Sequence, residues 1–192
     1  MKHLTLAELE AGLADIGRSP LDKGVLHSIV RRPRVGEREV LEEGELDCVV
    51  GLVGDNWQSR RSSRTTDGTP HPEMQLNVMN SRVISLIAQE RSRWPLAGDQ
   101  LFIDLELSAA NVPVGTQLVI GSAVIEVTAQ PHTGCQQFVS RFGLDAMKFV
   151  NSATGTERRL RGMNARVVRP GTIRVGDLVT KVAKSPEAEG TS

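Results

Sequence analysis

The chain has 192 residues, and its 23 lysines and arginines balance 23 aspartates and glutamates, for a formal net charge of zero. That length suffices for one domain with a sizeable core, and the charge balance argues against a general nucleic-acid binder, which would be basic. No apolar run reaches the ~18 residues of a membrane span, the opening residues carry three acidic side chains and do not read as a signal peptide, and Cys48 and Cys135 make neither a disulfide framework nor a zinc knuckle.

Residues 5–16 read as a helix: Thr5 and Glu8 form a capping box, Leu6, Leu9, Leu13 and Ile16 share a face, and Gly17 ends it. Strands are expected over 25–32 and 38–41, separated by Pro33 and Gly36. Residues 44–57 mix apolar pairs with glycines and read as a turn or loop with a polar tip at Asp55-Asn56. The stretch 58–73 contains no aliphatic residue, which marks a long surface loop. Residues 74–79 alternate as a half-buried strand, and a helix follows from Ser81 until Trp94-Pro95. Further on come a strand over 100–107, a hairpin turning at Gly121-Ser122, helical text over 136–150 split by Gly143, and short strands over 162–182. The expected architecture is mainly β: a closed barrel with several inserted short helices. An N-terminal helical extension covers 1–23, the barrel domain 24–182, and a flexible tail 183–192.

Cys135 is the focus of the chemistry. It follows a strongly patterned strand, in the loop Pro131-His132-Thr133-Gly134-Cys135, where a rigid scaffold can present a thiol. A thiolate is a nucleophile or a metal ligand when its pKa is lowered. His132 and the helix start at Gln136 are the local groups able to do that. A His132–Cys135 nucleophile pair needs an orienting carboxylate and an oxyanion hole, and neither is identifiable. An inert, buried Cys135 is the alternative. Cys48 lies in apolar text and reads as a core residue. Histidines 3, 27 and 71 show no metal-ligand spacing. Eighteen of the basic residues are arginine, clustered at 31, 32 and 34, at 60, 61 and 64, and at 158, 159 and 161. Arginine's planar fork suits phosphate and carboxylate. Most of these side chains are expected on the solvated surface, with one or two free to hold an anion.

Three segments then carry a likeness: Gly51-Leu-Val-Gly-Asp-Asn-Trp57; the run from Leu96-Ala-Gly-Asp-Gln through Gly121–Thr128 to the Cys135 loop; and Arg161-Gly-Met-Asn-Ala-Arg with Gly171–Asp177. In these the chain resembles a stand-alone member of the MOSC family, named for the C-terminal domain of molybdenum cofactor sulfurase, over roughly residues 24–182. The resemblance implies a barrel-like β fold and a molybdenum–pterin cofactor. It implies Cys135 as molybdenum ligand in a reductase of N-hydroxylated compounds, or as a persulfide sulfur carrier; a non-catalytic binding domain is the third reading. Catalytic candidates are Cys135 and His132. Candidates for holding cofactor or substrate are Asp55, Asn56, Gln75, Asn77, Thr133, Arg141 and Arg161. No pyridoxal phosphate is expected. Expected partners are a small-molecule substrate and an electron-donor or cofactor-delivery protein, with neither nucleic acid nor membrane, in the cytoplasm. Many relatives have Pro-Cys at the cysteine; here Gly134 precedes it.

Overall fold

The computed structural model describes residues 2–62 and 65–182; the expected tail at 183–192 lies outside them. The chain begins with α1 (Leu6–Ala11) and α2 (Leu13–Ile16). Thr5 and Glu8 cap α1 reciprocally, and the helix breaks at Gly12. Strand β1 (Gly24–Arg31) follows, then β2 (Glu39–Leu41), β3 (Glu43–Asp47) and β4 (Gly51–Leu52). The loop and two short 3-10 turns at 57–59 and 72–74 lead to β5 (Leu76–Asn80), α3 (Ser81–Ala88), a 3-10 segment (Arg91–Ala97) and β6 (Leu101–Asp104). The second half holds β7 (Gln117–Ile120), β8 (Ala123–Val127), α4 (Gln136–Phe142), α5 (Leu144–Asn151), α6 (Ala153–Glu157), β9 (Met163–Arg169), β10 (Gly171–Arg174) and β11 (Leu178–Lys181).

Seven strands close a mixed barrel in the order β1-β6-β5-β9-β8-β7-β11, with β11 returning to β1. β2 extends the sheet from the far half of β1. β5 and β6 run parallel, because α3 and the 3-10 segment carry the chain back across the sheet between them. Closure leaves the paired strands without an open edge along the ring. Two apolar bodies hold this together. The barrel interior is filled by residues such as Leu26, Ile29, Val78, Leu101, Ile103 and Ile125. Outside the wall, Val30, Met79 and Phe102 face a second cluster built from the helices, including Leu9, Ile16, Ile84, Phe138, Phe142 and Phe149. Strand β5 is therefore covered on both faces, where its alternation alone predicts one.

Several expectations change. Residues 44–57 carry two short strands, β3 and β4, where only turn or loop was expected, and the polar tip at Asp55-Asn56 stays in the loop beyond them: Gly44 and Leu46 turn inward, and β3 pairs with β10, a partner more than 120 residues away. The helix from Ser81 ends at Ala88, and Trp94-Pro95 sits in the separate 3-10 segment. Cys48 is exposed, in a turn closed by Asp47 Oδ1, which accepts from the amides of Val49 and Val50. The break at Gly143 holds: its φ of 90° is a left-handed conformation that permits α4 and α5 to meet at a sharp corner. No helix among the described residues is long and apolar enough to cross a membrane.

Candidate functional site

The register brings one end of the barrel together: Leu101 at the start of β6 lies opposite Ile29 near the end of β1 and beside Val78 of β5. Chain segments leaving these strands, with the loop after β8 and the residues before β9, enclose a cleft of about 140 Å3. Its walls include Arg32, Arg38, Arg60, Asn77, His132, Thr133, Cys135, Gln137, Arg141 and Arg161. A wider pocket of about 290 Å3, lined by Trp57, Arg61, His71 and Met74, shares Arg32, Arg60, Asn77 and His132 with it. A third, of about 200 Å3, meets it at His132, Thr133 and Arg161.

Four of the five guanidinium groups of the cleft are ordered by one short piece of backbone. Arg38 Nε donates to the carbonyl of Pro95 (3.2 Å), Arg141 to Leu96 (2.6 Å), Arg161 to Ala97 (3.0 Å) and Arg32 to Gly98 (2.9 Å). Asp99 continues the series: its carboxylate accepts from Arg161 at 2.7 Å and lies 2.8 Å from His132 Nε2. The five consecutive residues 95–99 thus each hold a cationic or imidazole side chain by a backbone or side-chain oxygen. Arg60 approaches from the loop.

Two of these arginines are neutralised inside the protein. Arg32 makes a two-pronged ion pair with Asp55, both bonds 2.8 Å, with side chains 4% and 0% exposed. Asp55 also accepts from the backbone amides of Arg32 and Trp57, so its oxygens are fully used. Arg161 pairs with the wholly buried Asp99 and lies 4.9 Å over the ring of Phe138. Arg38, Arg60 and Arg141 make no ion pair among the described residues. Partial burial lowers the Arg38 pKa, and the neighbouring Arg141, Arg32 and Arg60 lower it further. Partial burial and Arg32 likewise lower Arg60, while Asp55 and Cys135 pull it back up. An anion in the cleft would relieve this crowding of like charges.

Burial by itself would raise the Asp99 carboxyl, but Arg161 and His132 outweigh it and hold it below the ordinary carboxylate range. His132 shifts down, first because it is buried and then because Arg161 opposes a second positive charge; Asp99 only partly compensates. A neutral ring beside an ionised carboxylate donates Nε2–H to it and keeps a lone pair on Nδ1. Cys135 is a free, exposed thiol at the N-cap of α4. Gly134 in front of it is tied at both backbone atoms to the side chain of Asn151 on α5, which sets the loop against the helices.

Of the residues expected from sequence, Cys135, His132, Asn77, Thr133, Arg141 and Arg161 line the cleft. Asp55, Asn56 and Gln75 do not. Asp55 is spent on Arg32, and Gln75 is buried with its amide bridging Val167 N and Cys48 O. Asn56 Oδ1 is buried without a hydrogen-bond partner among the described residues. His132 binds Asp99, and no hydrogen bond joins it to Cys135 among the described residues, so the nucleophile pair is not assembled here. Sequence pattern does not mark Arg32, Arg38, Arg60 or Asp99 individually as site residues. The arginine clusters at 31–34 and 60–64 were a visible signal, but nothing local distinguishes Arg32 from Arg34, which is 81% exposed. Arg64 lies outside the described residues.

Comparison with known families gives a match to the MOSC domain over residues 69–180, more than half of the chain. The chain belongs to the MOSC domain family. This family is linked to molybdenum cofactor binding in general. The matched MOSC segment contains Asp99, His132, Cys135, Arg141 and Arg161, whereas Arg32, Arg38, Asp55 and Arg60 precede it. No curated protein matches the sequence. Among solved structures, the YuaD protein from Bacillus subtilis is similar at 14% identity and a TM-score of 0.62, covering 84% of this chain and 97% of that one. YiiM from Escherichia coli is similar at 18% identity and a TM-score of 0.53, covering 84% and 71%. YiiM from Geobacillus stearothermophilus gives 14% and 0.51, covering 88% and 77%. At these identities the likeness is one of fold, and it agrees with the closed mixed barrel described above.

Proposed function

We propose that this MOSC protein binds a molybdenum–pterin cofactor in the arginine cleft, with Cys135 as its thiolate ligand, and reduces N-hydroxylated or related small molecules. The observation that carries the reading is the meeting of Arg38, Arg60 and Arg141, three arginines with no ion-pair partner among the described residues, with an exposed thiol in one cleft. The donor set fits the group. A phosphorylated pterin needs guanidinium forks around its anionic end, and a thiolate is a soft ligand for a thiophilic metal. Among the described residues no cluster of three or more histidines, cysteines or carboxylates could hold a metal by protein ligands alone.

When bound, the cofactor supplies the redox chemistry of oxygen-atom removal. This chain supplies the rest. Arg38, Arg60 and Arg141 hold negative charge, and the carbonyls of Pro95 and Leu96 fix Arg38 and Arg141 in the cleft wall. Cys135 presents sulfur at the cleft. The pocket beside Trp57 and His71 has room for a small organic molecule next to His132. The exposure of Cys135 also favours a second reading, in which the thiol carries a persulfide to a partner.

The test is metal and pterin content of protein purified from a host that makes the cofactor, compared with Cys135→Ala and Arg38→Ala/Arg141→Ala. Near-stoichiometric molybdenum in the wild type and its loss in both variants is the expected result. Metal-free wild type with a persulfide on Cys135 would select the carrier reading.

A further inference from the structure

His132 stands where the arginine cleft and the two neighbouring pockets meet, and it lines all three. One ring nitrogen, Nε2, is bound to Asp99 at 2.8 Å. The other, Nδ1, has no hydrogen-bond partner among the described residues and is not among the buried unsatisfied atoms, so it is open to these cavities. Asp99 cannot turn away, because Arg161 grips its carboxylate at 2.7 and 2.9 Å while being held in turn by Ala97 O and the face of Phe138. Around the ring the other charged groups are guanidiniums, which only donate. Ligand atoms entering this cleft therefore meet guanidinium donors and the amide or hydroxyl groups of Asn77, Thr133 and Gln137, and His132 adds an acceptor fixed in the wall.

We infer that Asp99 is a positioning residue that fixes His132 as an acceptor in the site, so that the substrate turns a protic group, the O–H of its N–O–H function, toward His132 Nδ1. This rests on the reductase reading for the identity of the substrate, and on geometry alone for the ring. An N–O–H oriented in this way has its oxygen directed by the protein before any chemistry begins. A molecule of the same shape whose oxygen is capped lacks the donor and leaves Nδ1 unpaired, which is how a buried polar wall discriminates.

The tautomer can be read by long-range nitrogen–proton NMR of the histidine rings, in metal-free protein at neutral pH, with His132→Gln assigning the signal. The expected spectrum shows a protonated Nε2 and an unprotonated Nδ1 for His132. Asp99→Asn should mix the tautomers, whereas a residue with a purely structural role would leave them unchanged in folded protein. If Asp99→Asn does not fold, the wild-type spectrum decides by itself, since a protonated Nδ1 overturns the inference. Two probes complete the test, acetone oxime and its O-methyl ether. Movement of the His132 Nδ1 signal by the oxime alone supports the assignment; movement by both or by neither overturns it. Neither spectrum involves molybdenum, so loss of the cofactor reading would leave the tautomer result standing, and the wrong tautomer would leave the cofactor reading untouched.

Discussion

Asp99 and His132, 33 residues apart in the chain, meet at 2.8 Å where the start of β6 and the loop after β8 converge. The contact ties the cysteine loop to the backbone segment that orders the arginines. Disturbing either residue should register at the other.

Acidification should expose this pair. His132 has a lowered folded-state pKa, so the unfolded chain binds its proton first as pH falls from the ordinary value of about 6.5. Stability is then lost progressively below that value, because the unfolded state holds more protons. Asp99 is depressed, so its contribution is present above the ordinary carboxylate range and disappears only at lower pH. His27 is also lowered by burial and acts in the same direction as His132. Thermal melts at pH 7 and 5 should show a loss for the wild type and a smaller loss for His132→Gln, with His27 supplying the remainder.

Asp55→Ala should be costly. It strands the nearly buried Arg32 guanidinium and frees the amide of Trp57. Breaking a buried pair in this way costs about 3–5 kcal/mol. Urea unfolding would measure it, and a loss below ~1 kcal/mol would mean that the pair is solvated.

Arg141→Ala should separate binding from stability. Its one described hydrogen bond, to Leu96 O, is exposed, so stability should change by about 1 kcal/mol or less. A lost charged hydrogen bond to an anion is worth about 1.5–3 kcal/mol, or roughly ten-fold or more in affinity. Retention of pterin phosphate through dialysis at rising salt should fall in this variant, and equal retention would remove Arg141 from the site.

Both thiols should react in the native protein, since both cysteines are free and exposed. Titration with a disulfide reagent should count two in the wild type and one in either Cys48→Ala or Cys135→Ala. Inorganic phosphate should slow the reaction of Cys135 and leave that of Cys48 unchanged; equal slowing would deny an anion site beside Cys135.

Gly162→Ala should damage the fold beside Arg161. The residue sits at φ 103°, and a Cβ there would collide with the carbonyl oxygen of Val78 on the adjoining strand. Strain of that kind costs about 1–3 kcal/mol, visible as a lowered denaturation midpoint.

Local pattern determined much of this protein. The Thr5–Glu8 capping box, the Gly121-Ser122 hairpin, the break at Gly143 and the inward face of α3 are all set by side chains within a few residues of one another. The cysteine loop was legible for the same reason: a strand ends, a helix begins, and the thiol lies between them. What the sequence could not disclose depends on partners far apart in the chain. β3 looks like loop text until β10 pairs with it, and Cys48 looks like core until the turn at Asp47 carries it outward. The division of the arginines is the clearest case. Arg32 is neutralised by Asp55 and Arg161 by Asp99, while Arg38, Arg60 and Arg141 keep their charge for the cleft. Nothing in their spacing separates the two groups, because an arginine's role is set by whether the fold places a carboxylate within reach, and only barrel closure brings those residues to one end.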